Sequence, residues 1–253
     1  DTASDICGVS ILDNENLICI LDAKTGRTHA ENLMPMIQDI FIKTGLDIKD
    51  IDLLVCDKGP GSFTGIRIGV ASIMAFTDSL DIPCIGISSL EALVYNLKNL
   101  IDDKSYVCSI IDCKNDNCYF ALYEKKDGVF ENLIEPQAES IDGALSILSS
   151  YCIDNLNTNN IVFIGDGSKI YKDRIKEMFS NAKFANEIYI DTDDSNNSDS
   201  NLNDLNSYSL GIAGLVHYNS NIDIGDVLPL YLKKPQAQRQ LEEKERMQKN
   251  NVN

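Results

Sequence analysis

The sequence predicts an α/β layer fold in two lobes, and three observations carry that prediction. Short, continuously apolar runs such as "IDLLVC" (51–56), "IPCIGI" (82–87) and "IVFIGDG" (161–167) read as strands covered on both faces. Between them stand stretches whose apolar residues recur at intervals of three and four, the spacing of a helix laid against a sheet. Past "IDDK" (101–104) the alternation starts again, and a second lobe of related design is the simplest account.

Taken in order, "CGVSIL" and "LICILD" flank the turn "DNEN" and read as a β-hairpin. A helix follows from His29 to Thr44, with Leu33, Met36, Ile37, Ile40 and Phe41 on one face and Gly45 ending it. The strand "IDLLVC" leads through a glycine-rich stretch into the helix "SFTGIRIGVASIMAFTDSL" (62–80), for which Ser62 is the N-cap. "IPCIGI" is the next strand, and "SSLEALVYNLKNL" (88–100) a helix opened by Ser88 or Ser89. In the second half "YVCSIID", "NCYFALYE" and "GVFENLI" read as strands, 141–151 as a helix, "IVFIGDG" as a strand and 170–179 as a helix. Residues 191–206, "DTDDSNNSDSNLNDLN", are polar and without period, the composition of a disordered loop. "SYSLGIAGLVHY" (207–218) gives one more helix and "LPLYL" (228–232) an extended segment; "AQRQLEEKERMQK" (237–249) is a charged, solvated helical tail.

The bulk composition excludes several functions. With 253 residues, 43% of them hydrophobic, the chain is long enough for one large domain or two small lobes, each with a core. A net charge of −17 repels polyphosphate, so strong direct binding of nucleic acid is not expected, although an acidic protein can serve a nucleic-acid pathway through a partner. No apolar run is long enough to span a bilayer and no stretch reads as a signal peptide, so no membrane partner is expected. Eight cysteines without a CxxC pair read as buried free thiols in a reducing, cytoplasmic compartment. Cys113 and Cys118 flank a polar turn, but with two histidines in the chain, His29 and His217, they make a poor zinc site.

The most informative stretch is "GPGSFTGIRIG" (59–69). A strand, a glycine turn and a helix N-terminus present backbone amides to an anion. A P-loop would need Lys-Ser or Lys-Thr after the last glycine, where Ile66 and Arg67 follow Gly65. A dinucleotide fingerprint matches Gly59 and Gly61 but meets Thr64 at its third position, with Gly65 one residue late and Ser88 where a carboxylate is wanted. The competing structural reading has Pro60 and Gly61 turning the chain while Gly65 and Gly69, four apart on one helical face, let another backbone pack closely.

"DTAS" at 1–4, His29 followed by "LMPMI", "GPGSFTGIRIG", "IPCIGISSLEAL", "IGDG" at 164–167 and "PLYLKKPQA" at 229–237 occur in the order found in the bacterial TsaB (YeaZ) family, and the chain resembles that family over nearly its whole length. The resemblance implies the two-lobed fold of actin and the sugar kinases, ribonuclease H-like, with a mixed five-stranded sheet in each lobe. It would place an N-terminal lobe at 1–102, a C-terminal lobe at 103–235 and the tail at 236–253. It implies a non-catalytic subunit of the complex that makes threonylcarbamoyladenosine at position 37 of tRNA. TsaD would transfer the group, TsaE would be an ATPase, and this chain would bind TsaD as a heterodimer, or itself as a homodimer when alone.

Site expectations follow from the same resemblance. Catalytic relatives carry a metal on an H-x-x-x-H pair, which an overlay on "SSLEAL" replaces with Ser89 and Leu93, so neither a metal nor a catalytic residue is expected. Weak binding of ATP or ADP with magnesium would use Asp1, Thr2 and Ser4, with Gly59 and Gly61, from one lobe. Asp112, Gly165 and Gly167 would serve from the other, although "IDCKNDNC" (111–118) lacks the glycine turn of a phosphate site. The interface would be a low ridge of Gly65, Gly69 and Ser72 flanked by Ile66 and Ile73, joined by Leu33 and Met36 of the first helix. Family members have an apolar strand ahead of the aspartate at Asp1; that strand is expected to lie outside the sequence given. The alternatives are an ATP- or metal-dependent enzyme of the actin fold, such as a small kinase or a glycoprotease-like metallopeptidase, and, on the broken glycine pattern alone, a nicotinamide oxidoreductase.

Overall fold

A computed structural model describes residues 1–26, 28–156, 160–189 and 201–233. The acidic stretch 191–200 and the charged tail at 236–253 lie outside the described residues.

The first half opens with the expected hairpin, β1 (Ile6–Asp13) and β2 (Asn16–Lys24), paired antiparallel around a turn in which Asn14 takes the left-handed conformation. Helix α1 (His29–Thr44) ends where Gly45, at φ +72°, sends its N–H back to the Phe41 carbonyl. Strand β3 (Leu54–Asp57), helix α2 (Phe63–Leu80) and strand β4 (Cys84–Ile87) form a parallel crossover unit, and Ser62 caps α2 by accepting the Gly65 N–H at 3.2 Å. Helix α3 (Ser89–Tyr95) follows directly.

The second half builds β5 (Tyr106–Asp112), β6 (Asn117–Lys126) and β7 (Val129–Ser140) as a meander. Helix α4 (Ile141–Tyr151), strand β8 (Ile161–Ile164), helices α5 (Asp166–Ile170) and α6 (Lys172–Met178), strand β9 (Lys183–Phe184), helix α7 (Ala185–Tyr189) and helix α8 (Ser207–Asn219) complete the order. The strands join in one mixed five-stranded sheet, β7-β6-β5-β8-β9, antiparallel on the β5–β6–β7 side and parallel from β5 to β9.

Five strands in one sheet were expected in the first half too, and there the structure differs. Among the described residues β1–β2 and β3–β4 are separate two-stranded sheets. A cavity of about 450 Å³ lies between them, lined by Val9 and Ile11 of β1, Val55 of β3, Ile40 of α1, Ile73 of α2 and Leu210 of α8. Among its lining residues the Asp1 nitrogen donates to the Gly8 carbonyl at 2.8 Å and Gly8 N–H donates back to the Asp1 carbonyl at 2.9 Å, a single rung on the edge of β1 away from β2.

Three smaller expectations are corrected. The helix read over 88–100 stops at Tyr95 and continues as turns, where the buried Lys125 ammonium takes the carbonyls of Lys98 at 2.8 Å and Ile101 at 2.6 Å. The helix read over 170–179 is two short ones meeting at Tyr171. Residues 201–206, read as part of a disordered loop, are an ordered turn: Asn203 is buried and its side-chain carbonyl accepts the Gly165 N–H at 3.0 Å, while Asn96 donates to the carbonyls of Leu202 and Asp204.

Two apolar clusters fill the interior. One face of the five-stranded sheet packs on α4 and α6 through Phe120, Phe163, Ile175 and Phe179. The other face meets α3, α8 and the β3–β4 unit through Ile87, Leu93, Val107, Ile164 and Ile212. The two halves of the chain therefore share this second cluster, and burial of its aliphatic side chains stabilises by roughly 1.5–3 kcal/mol each.

Candidate functional site

The glycine stretch is a crossing point of three segments of the chain itself. Ala3 accepts the Ser62 N–H through its carbonyl at 2.7 Å, and a Cβ on Gly61 would lie 2.2 Å from that carbonyl oxygen. A Cβ on Gly65 would lie 1.8 Å from the Thr2 carbonyl oxygen, and the Thr2 hydroxyl donates to the Gly65 carbonyl at 2.8 Å. From the other side Leu230 N–H donates to the Lys58 carbonyl at 2.6 Å, and the Leu230 carbonyl presses on Gly59, whose φ of +98° is itself a glycine conformation. What approaches the backbone here is polypeptide, from residues 2–3 and 227–230.

Beneath the crossing sits Asp57, at the carboxyl end of β3 and 2% exposed. Its Oδ1 accepts the Gly59 N–H at 2.6 Å and the Ser89 hydroxyl at 2.6 Å, while Oδ2 is buried without a protein partner among the described residues. Burial dominates over both hydrogen bonds and pushes its carboxyl up to about 6. Sequence reading passed over Asp57; the available signal was a carboxylate closing a buried strand just before a glycine turn.

The residues expected to hold a nucleotide fall into two groups. In the first, Thr2 lies on Gly65 and its neighbour Ala3 on Gly61, while the polar atoms of Asp1 and Ser4 serve the chain: Asp1 Oδ1 accepts the Ala3 N–H at 2.8 Å and Ser4 Oγ accepts the Ile6 N–H at 3.1 Å. His29 Nε2 donates to the Ser4 carbonyl at 2.8 Å, which fixes its tautomer and leaves Nδ1 to accept the Thr25 hydroxyl at 3.0 Å. In the second group Gly165 and Gly167 pack on the Ile110 backbone and are closed to a ligand. Asp112 accepts from Tyr171 Oη at 2.7 Å and Lys114 Nζ at 2.8 Å; burial pushes its carboxyl up, but these hydrogen bonds prevail and hold it below the usual range. The turn after it runs through Lys114, Asn115 and Asp116, all left-handed and none glycine. Asp166 holds this turn by accepting the Asp112 N–H at 2.9 Å, and burial raises its carboxyl.

Among the described residues no group of three or more His, Cys, Asp or Glu side chains is placed to hold a metal. No described helix is long and apolar enough to cross a membrane.

Residues 20–240 match the family model described as TsaD: tRNA N6-adenosine threonylcarbamoyltransferase. The chain is 26% identical over 184 residues to the tRNA threonylcarbamoyladenosine biosynthesis protein TsaB of Bacillus subtilis, covering 73% of this chain and 76% of that one. It is 31% identical over 129 residues to its namesake in Escherichia coli, covering 50% and 54%, and 27% identical over 194 residues to that of Haemophilus influenzae, covering 75% and 80%. The chain belongs to the TsaB family. Its fold is also that of YeaZ from Pseudomonas aeruginosa, at a TM-score of 0.69 over 91% of this chain and 96% of that one, with 18% identity. An uncharacterized P. aeruginosa protein described as similar to peptidase YEAZ aligns at 0.72 over 92% and 96%, also at 18% identity.

In this TsaB-family chain the interface expectation needs correction. Gly65, Ile66, Ile73 and Leu33 are buried within their own protomer, and Gly69 faces the Thr2 hydroxyl, so this ridge packs on residues 2–3 and on the cavity beside β1. Met36 and Ser72 are half-buried. The solvent side of α2 carries Thr64, Arg67, Ala71 and Ala75, and α1 beside it exposes Met34 and Ile42. The glycines of α2, which look in sequence like an intermolecular contact, are occupied by an intramolecular one with Thr2.

Proposed function

We propose that this protein is a non-catalytic subunit in tRNA threonylcarbamoyladenosine biosynthesis that binds and activates TsaD. The observation that carries the proposal is the family membership over residues 20–240 together with relatives named for that biosynthesis. The positions that an overlay equates with the metal-binding histidines of catalytic relatives support a non-catalytic role. Ser89 gives its hydroxyl to Asp57, and Leu93, 1% exposed, is part of the shared core. A leucine there offers no lone pair to a metal.

On this reading the architecture is the two-lobed actin-like one, with lobes at 1–102 and 103–235, working in the cytoplasm alongside TsaE. Nucleotide binds weakly, with magnesium, near Asp1 and Asp112. The TsaD-binding face is the solvent side of α1 and α2, and the same face pairs two copies when TsaD is absent. The test is light scattering and co-elution of the full chain, alone and with its cognate TsaD, with metal content read on the same fractions. A homodimer that exchanges into a one-to-one complex is expected. A monomer that ignores TsaD and carries stoichiometric zinc or ATP would overturn the reading in favour of an enzyme.

A further inference from the structure

After α8 the chain crosses the molecule as a strap. Gly225 N–H donates to the Cys84 carbonyl at 3.0 Å, Leu230 N–H reaches Lys58 at 2.6 Å, and the Tyr231 ring stacks on Phe63 at 5.0 Å while its hydroxyl accepts Arg67 Nε at 2.8 Å. Two residues later the strap arrives at the five-stranded sheet. There Lys233 Nζ lies 2.9 Å from Cys113 Sγ, at the start of the β5–β6 turn, and 5.9 Å from the centre of the Tyr119 ring. The strap thus has one anchor on α2 and another on the opposite sheet, and the second is an amine in contact with a thiol.

Cys113 differs from most of the cysteines. Six of the eight are buried, whereas Cys113 and Cys19 are half-buried. The adjacent Cys118 is 0% exposed, and burial pushes its thiol up to about 12. Thiol oxidation follows thiolate character and access. Of the thiols in the second half, Cys113 therefore joins access to a nitrogen 2.9 Å from its sulfur that can capture its oxidised form.

We infer that Cys113 and Lys233 are a modification site, at which a hydroperoxide leads to a covalent S–N bond fastening the strap to the second sheet. The thiolate sulfur attacks one peroxide oxygen; an S–O bond forms, the O–O bond breaks, and the remaining oxygen leaves as hydroxide or alkoxide. The product is a sulfenic acid, with sulfur oxidised by two electrons and the peroxide reduced by two. That hydroxide or alkoxide takes a proton from the Lys233 ammonium; the amine Nζ so freed attacks the sulfur, the S–N bond forms, the S–O bond breaks, and the hydroxyl departs with one amine proton as water. Condensation of a sulfenic acid with a neighbouring nitrogen is established chemistry for backbone amides. An external thiol reverses it by attacking sulfur and returning the amine.

The experiment treats the full chain with hydrogen peroxide and maps its peptides by mass spectrometry. The expected product is a crosslinked peptide joining Cys113 to Lys233, lighter by two hydrogens than the sum of its parts, and lost on treatment with dithiothreitol. In Lys233→Gln the crosslink disappears and a cyclic diketone probe labels Cys113 as the uncaptured sulfenic acid. Oxidation of Cys19, which should be the same in both proteins, controls for peroxide dose. Recovery of Cys113 as a free thiol, or as its sulfinic acid with Lys233 unmodified in the unaltered chain, would overturn the inference. None of these readouts depends on TsaD, so the result stands apart from the proposed function.

Discussion

Ser89, the first residue of α3, donates its hydroxyl to the buried carboxylate of Asp57 at 2.6 Å, tying the end of β3 to the start of the helix that β4 feeds. The bond sits directly under the glycine crossing and shares its acceptor oxygen with the Gly59 N–H. Both bonds favour the carboxylate, but burial outweighs them, and folding disfavours the charge.

Stability should therefore fall with rising pH around this group. The Asp57 carboxyl goes from an ordinary value of 3.8 to about 6 on folding, so the folded state binds the proton more tightly than the unfolded one. That contribution is fully present below pH ~4 and is lost as pH rises through ~6. Asp57→Asn keeps an acceptor for Ser89 and removes the titration. Thermal unfolding should show it gaining on the unaltered protein by a few degrees at pH 8 and not at pH 4; a constant difference across that range would contradict the assignment.

His217 and Glu91 give a pH dependence of the same sense from a different cause. The Glu91 carboxylate accepts from His217 Nε2 at 2.7 Å across α3 and α8, and this bond outweighs burial to lift the imidazole above its ordinary range. A histidine raised in this way stabilises at pH below the unfolded value, and the contribution fades as pH climbs through the folded one. Glu91→Gln should cost about 1 kcal/mol at pH 6 and clearly less at pH 9, read by urea denaturation at the two pH values.

Gly65→Ala tests the crossing. A methyl group there meets the Thr2 carbonyl oxygen at 1.8 Å, so residues 2–3 must shift or the helix must. The expected loss is about 2–3 kcal/mol of unfolding free energy, in the upper range for overpacking. Ala71→Arg, on the exposed side of the same helix, should leave stability within about 0.5 kcal/mol of the original. It should nonetheless abolish co-elution with TsaD. Unimpaired co-elution would remove this face of α2 from the proposed interface.

Lys125→Met removes a buried ammonium that satisfies the carbonyls of Lys98 and Ile101. Two acceptors lose their donor, and a loss of about 2–3 kcal/mol is expected by chemical denaturation. Lys125→Arg, which keeps the charge but not the shape, should recover only part of it.

The second sheet was legible because each of its strands carries its own apolar run, and the turn residues between them are polar. The serine cap at Ser62 and the glycine stop at Gly45 also appear in the structure as their residue types require. Buried polar partnerships were not legible. Asn203 lies in a stretch whose composition spells disorder, yet its side chain closes the turn that opens at Gly165. Composition averages over residues, whereas one amide with the right partner decides whether a loop is ordered. Asp57 and Lys125 were missed for the same reason: their roles depend on groups distant in sequence, and one sequence read by itself carries no trace of such pairings.

The crossing at the glycine stretch also dictates an order of events during synthesis. Residues 2–3 can settle against Gly61 and Gly65 once α2 has left the ribosome, but the covering contact from Leu230 to Lys58 needs nearly the whole chain. Until then Lys58 and Gly59 lie open above a buried carboxylate. A nascent chain stalled short of the strap should thus expose this loop to proteases, and its protection reports the moment at which Leu230 first meets Lys58.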